Sequence, residues 1–97
     1  MDSIQSIKQK LEANLPQLRN RYPIKSIGIF GSYIRGEETK KSDLDILIEF
    51  EKPISLIKFV TLEDEFSKIA GIKVDLVMRS ALKPKIGQYI LQEVQYI

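Results

Sequence analysis

The sequence predicts an α/β chain whose seven elements run α-β-α-β-α-β-α. Three segments space their apolar residues at steps of three and four, a short helical turn follows Gly31-Ser32, and three further segments alternate or run unbroken like strands. Length sets the scale. With 97 residues, 43% of them apolar and 29% charged, the chain has room for one domain, residues 1–97, around one small core.

Ser3 is placed to cap a first helix whose face carries Ile4, Ile7, Leu11, Leu15 and Leu18, with Pro16 expected to kink it or split it in two. Pro23 ends that segment, and Ile24 to Phe30 reads as the first strand. Gly31-Ser32 breaks the strand and opens a helical turn over 32–36, followed by a polar loop from Glu37 to Ser42. In the second strand, Leu44, Ile46, Ile48 and Phe50 share one face, while Asp43, Asp45, Leu47 and Glu49 share the other. Ser55 caps a helix carrying Leu56, Phe59, Val60, Phe66 and Ile69, which Gly71 closes. Lys73 to Met78 is the third strand, with Asp75 between Val74 and Leu76. Pro84 opens a last helix with Ile86, Tyr89, Ile90, Val94 and Ile97 at helical spacing.

Composition removes whole classes of chemistry. Cysteine and histidine are both absent, so there are no disulfides, thiolate nucleophiles, Cys/His zinc sites or imidazole bases. Carboxylates, hydroxyls, Lys/Arg and backbone amides remain. The net charge is only +2, but residues 1–25 hold five bases and two acids, residues 37–65 nine acids and four bases, and residues 66–97 five bases and two acids. An acidic middle between basic flanks suits a cation site with anion-attracting surroundings, although most single charges read as solvated helix faces. No stretch approaches a membrane span of roughly 18 apolar residues, and no secretory signal opens the chain, so a cytoplasmic location is expected.

The aspartates carry the first functional signal. Asp43 and Asp45, two apart on a strand, project their carboxylates side by side, and a divalent cation between them removes their repulsion. Asp75 joins them if the third strand lies beside the second. Three carboxylates without His or Cys form a hard-oxygen site suited to Mg²⁺ or Mn²⁺. Taken alone, an Asp-x-Asp pair is common by chance, and Asp43 as a strand cap with Asp75 paired to a lysine is the better explanation of it. The Gly31-Ser32 turn shifts the balance, because strand, Gly-Ser turn and helix start make a phosphate-binding corner that Arg35 can reach one turn on.

The segment Gly31-Ser32-Tyr33-Ile34-Arg35-Gly36, followed after a polar spacer by Ser42-Asp43-Leu44-Asp45, resembles the signature of the DNA polymerase beta nucleotidyltransferase superfamily. More narrowly, it resembles the minimal nucleotidyltransferase (MNT) domain, and Val74-Asp75-Leu76-Val77 fits that family's third carboxylate. The family usually has a small residue where this chain has Ile34, so the nucleotide pocket's wall is expected to be tighter or shifted. The resemblance implies a nucleotidyltransferase fold of α+β type, with a three-stranded mixed sheet flanked by helices.

It also implies ATP bound with two Mg²⁺ ions, Asp43, Asp45 and Asp75 as metal-binding and catalytic residues, and Gly31, Ser32 and Arg35 against the phosphates. The partner it implies is a HEPN-domain RNase toxin in a hetero-oligomer. This chain would be the antitoxin, AMPylating a toxin tyrosine. A second class of function is a binding module that neutralises the toxin by masking it. Transfer to a small molecule or to nucleic acid ranks lowest, since five bases over 25 residues are a dilute footprint for RNA. Tyr89 and Tyr96 are expected in core or edge positions, Tyr33 either against a base or on its loop, and Lys40, Lys41, Lys83, Lys85 and Glu63-Asp64-Glu65 in solvent.

Overall fold

The computed structural model describes residues 3–97. Helix α1 (Ile4–Arg21) starts at Ser3, whose hydroxyl accepts from the Ser6 amide at 3.2 Å, and buries Ile7, Leu11, Leu15 and Leu18. The expected interruption at Pro16 does not occur. Proline costs the bond to the Glu12 carbonyl, but Glu12 and Pro16 both face solvent, where water can serve that carbonyl.

Strand β1 (Ile24–Phe30) leads through Gly31 into the single turn α2 (Ser32–Arg35), then to β2 (Leu44–Phe50), α3 (Leu56–Ala70) and β3 (Val74–Met78). A 3₁₀ turn (Arg79–Ala81) precedes α4 (Pro84–Glu93), and a strand of two residues, β4 (Gln95–Tyr96), ends the fold. The sheet order is β3-β2-β1-β4, with β2 and β3 parallel and both other pairs antiparallel. The sheet is mixed as expected, but it has four strands.

The inner faces meet the helices as their patterns require. Ile27 and Ile29 of β1, and Leu44, Ile46 and Ile48 of β2, join the α1 stripe with Leu62, Phe66 and Ala70 of α3. Phe50 closes one end edge-to-face on Phe59, with ring centroids 6.4 Å apart. Strand β3 is an edge, and α3 protects it. Ser67 Oγ accepts from the Val74 amide at 2.9 Å, and Glu63 Oε2 from the Leu76 amide at 2.8 Å. Among the described residues no helix is long and apolar enough to cross a membrane.

Three further expectations change. Helix α4 stops at Glu93, and Gln95 and Tyr96 pair with β1, because Gly28 leaves room for them; a Cβ there would lie 2.6 Å from Val94 Cγ2. Leu47, on the Asp45 face, is buried and stands opposite that same Gly28. Helix α3 docks by its second half, leaving Leu56 and Val60 exposed and burying Leu62 instead. Glu63 and Glu65 are structural acceptors, and only Asp64 of that run sits in solvent.

Candidate active site

The site forms where β1 ends beside the start of β2. Antiparallel pairing sets Phe30 against Asp45, so the turn that follows Phe30 lies over the Asp45 carboxylate. Gly31 adopts φ +84°, a region that disfavours side chains, and a Cβ there would fall 2.2 Å from Asp45 Oδ2. Glycine is thus required twice, by conformation and by close approach. Ser32 opens α2 in a half-buried position, and Tyr33 and Ile34 pack against the core. Tyr33 therefore belongs to its loop.

The carboxylates gather by strand geometry. Parallel register sets Asp45 directly beside Asp75, which is exposed. Burial, then the charges of Asp75 and Asp43, push the Asp45 carboxyl up to about 6. Asp43, just outside β2, is turned to Lys73, with Oδ2 3.9 Å from Nζ. The lysine pairing foreseen for Asp75 thus falls on Asp43. The lysine is largely in solvent and Asp43 partly so, and the pair is worth at most about 1 kcal/mol.

As the side chains stand, no group of three or more acidic residues among those described is arranged to hold a metal ion. Their chemistry nonetheless fits one. Three carboxylates whose mutual repulsion shows in Asp45, with no histidine or cysteine in the chain, present hard oxygen donors that a divalent cation would relieve.

Arg35 lies within the site but is already engaged. Its Nε donates to Glu37 Oε1 at 2.8 Å and its Nη1 to Glu93 Oε1 at 2.7 Å, and these two carboxylates raise its pKa. The other oxygen of Glu93 accepts from the Gly31 amide at 2.7 Å. Burial alone would raise the Glu93 carboxyl, but Arg35 and the Gly31 amide outweigh it and hold the group below its usual value. Glu93 is the residue that sequence reasoning missed. The available sign was its position as one of only two acids in the basic stretch 66–97, the other being Asp75.

A family model described as a nucleotidyltransferase domain matches residues 11–97. The chain is 44% identical over 97 residues to protein adenylyltransferase MntA of Thermococcus cleftensis, spanning 100% of this chain and 98% of that relative. A solved structure described provisionally as a minimal nucleotidyltransferase superposes with a TM-score of 0.81 at 32% identity, over 98% of this chain and 95% of that one. A Shewanella oneidensis complex of a tri-AMPylated HEPN toxin with an MNT antitoxin shares the fold at a TM-score of 0.68 and 20% identity, over 93% of this chain and 70% of that one.

Proposed function

The chain belongs to the nucleotidyltransferase domain family, and from that premise we propose that it is an antitoxin that transfers AMP from ATP to a tyrosine hydroxyl of a HEPN-type RNase toxin. One observation carries the reading. The Gly31 turn lies against Asp45, and Asp45 lies beside Asp75, so a phosphate-binding turn and a carboxylate cluster share one end of the sheet. The name of the Thermococcus cleftensis relative supports adenylyl transfer to protein, and the Shewanella oneidensis complex supplies the kind of partner.

In this reading the Ser32 hydroxyl and the Ser32 and Tyr33 amides hold the β- and γ-phosphates, because the amides of Gly31, Ile34 and Arg35 are already engaged. Arg35 has five N–H donors, two of which its carboxylate partners hold, and it stands beside the phosphates as an auxiliary. Asp43, Asp45 and Asp75 would hold Mg²⁺, which when bound supplies polarisation of the α-phosphate and offsets charge on the entering and leaving oxygens. Asp75, exposed on the edge strand, would help take the proton of the incoming hydroxyl. That oxygen bonds to the α-phosphorus while the bond to pyrophosphate breaks. Positioning and charge carry such a reaction, so the absence of histidine is no obstacle.

The test is transfer of label from α-labelled ATP to a co-purified partner in Mg²⁺. Transfer by wild type and none by Asp43→Ala/Asp45→Ala is expected, and equal transfer by both refutes the proposal. A second reading, neutralisation by masking, is favoured by the exposed apolar side chains Leu56, Ile57 and Val60 of α3 and Ile86 and Tyr89 of α4. Protection of cells by the double-aspartate variant would support masking.

A further inference from the structure

We infer that Glu93 is a positioning residue of the transfer site, clamping the Gly31 turn and the Arg35 guanidinium in one arrangement from the end of α4. The inference rests on the adenylyl-transfer reading, and it assigns a job to the C-terminal segment that no motif contains. A single carboxylate makes both bonds, Oε2 to the Gly31 amide and Oε1 to Arg35 Nη1, each at 2.7 Å. Its side chain is only 21% exposed, and half of what it holds is backbone. An ordinary surface ion pair has neither feature.

The sheet explains how Glu93 arrives there. Strand β4 pairs Gly28 with Tyr96 and Ile29 with Gln95. Continued in the same antiparallel step, that register sets Glu93 across from Gly31. The Ile97 amide anchors the far end on the Ile27 carbonyl at 3.0 Å, and Gly28 leaves the space that Val94 occupies. A strand of two residues adds little to a sheet, yet it fixes Glu93, two positions before it. Because Gly31 touches Asp45, a carboxylate that sets Gly31 also sets the distance between turn and carboxylates.

The test uses the full chain with Mg·ATP and its partner, comparing Glu93→Ala, Glu93→Gln and Glu93→Asp. Glutamine keeps a neutral acceptor for Gly31 but no charge for Arg35, and aspartate is too short to span both. Glu93→Ala should raise KM for ATP about tenfold or more and lower kcat, with Glu93→Gln intermediate. Amide exchange at Gly31 should quicken in Glu93→Ala while Tm in Glu93→Gln stays near wild type. In an Arg35→Ala background the further effect of Glu93→Ala should shrink, as expected for two members of one clamp.

Glu93→Ala kinetics within about twofold of wild type would overturn the inference. Tighter ATP binding would also overturn it, by making Glu93 a competitor for the phosphates' donors. Wild-type protein that transfers no AMP would instead sink the adenylyl-transfer reading, whereas an active wild type with an equally active Glu93→Ala sinks only the clamp.

Discussion

At Asp45 the proposed function and stability oppose each other in a single residue. Its carboxyl is pushed up to about 6 by burial and by two neighbouring aspartates, so ionising it in the folded chain is unfavourable. Asp45→Asn is therefore expected to abolish transfer and yet stabilise the metal-free protein by about 1 kcal/mol near pH 8, a value discounted for solvent screening. Thermal melts alongside a transfer assay check both halves, and a destabilised Asp45→Asn would contradict the electrostatic account. Gly31→Ala should behave differently. A side chain at φ +84° that also meets Asp45 is expected to cost about 1 to 3 kcal/mol and to displace the carboxylate, losing both stability and transfer. Glycine, serine and the three aspartates were legible because each announces itself by residue type and spacing. Glu93 was not, since its role depends on a strand pairing 62 residues away from Gly31.

At the scale of elements, α1 and α3 are tied by Glu65, which accepts from the Tyr22 hydroxyl at 2.6 Å and from Arg21 Nη2 at 2.6 Å. The Tyr22 hydrogen bond, together with Arg21, holds the Glu65 carboxyl below its usual value. A depressed folded pKa contributes stability above the unfolded value, roughly 4.3, which is lost as pH falls through the folded one. Tyr22→Phe should thus cost about 0.5 to 1 kcal/mol at pH 7 and flatten the acid side of the stability profile below about pH 4. Urea titrations across pH read this directly, and an unchanged acid limb would remove Glu65 from the account. Gly28→Ala should push β4 off β1, because the new Cβ has only 2.6 Å to Val94 Cγ2. Helix and strand periods revealed seven elements in order. They missed β4 because Val94 and Ile97 continue the helical spacing of α4, and only the room at Gly28 shows that the chain turns there.

For the whole molecule, the sequence pairs an acidic middle, free of cysteine and histidine, with a Gly-Ser turn, and the fold brings that turn and the aspartates to one end of the sheet. Exposed apolar side chains were not legible. Ile86 and Tyr89 have core-like spacing, and only tertiary structure shows them 60% and 75% exposed. Ile57→Lys and Tyr89→Ser should weaken a partner complex while leaving Tm within about 1 °C, since neither side chain is packed. Gel filtration with the partner reports the loss, and an intact complex would place the interface elsewhere. The proposed reaction is transfer of AMP to a protein at the aspartates beside Gly31. Intact-mass measurement of the partner, co-expressed with wild type or with Asp43→Ala/Asp45→Ala, tests it most directly. The account predicts whole AMP additions with wild type and none with the variant; an unmodified partner in both, or equal modification in both, would contradict it.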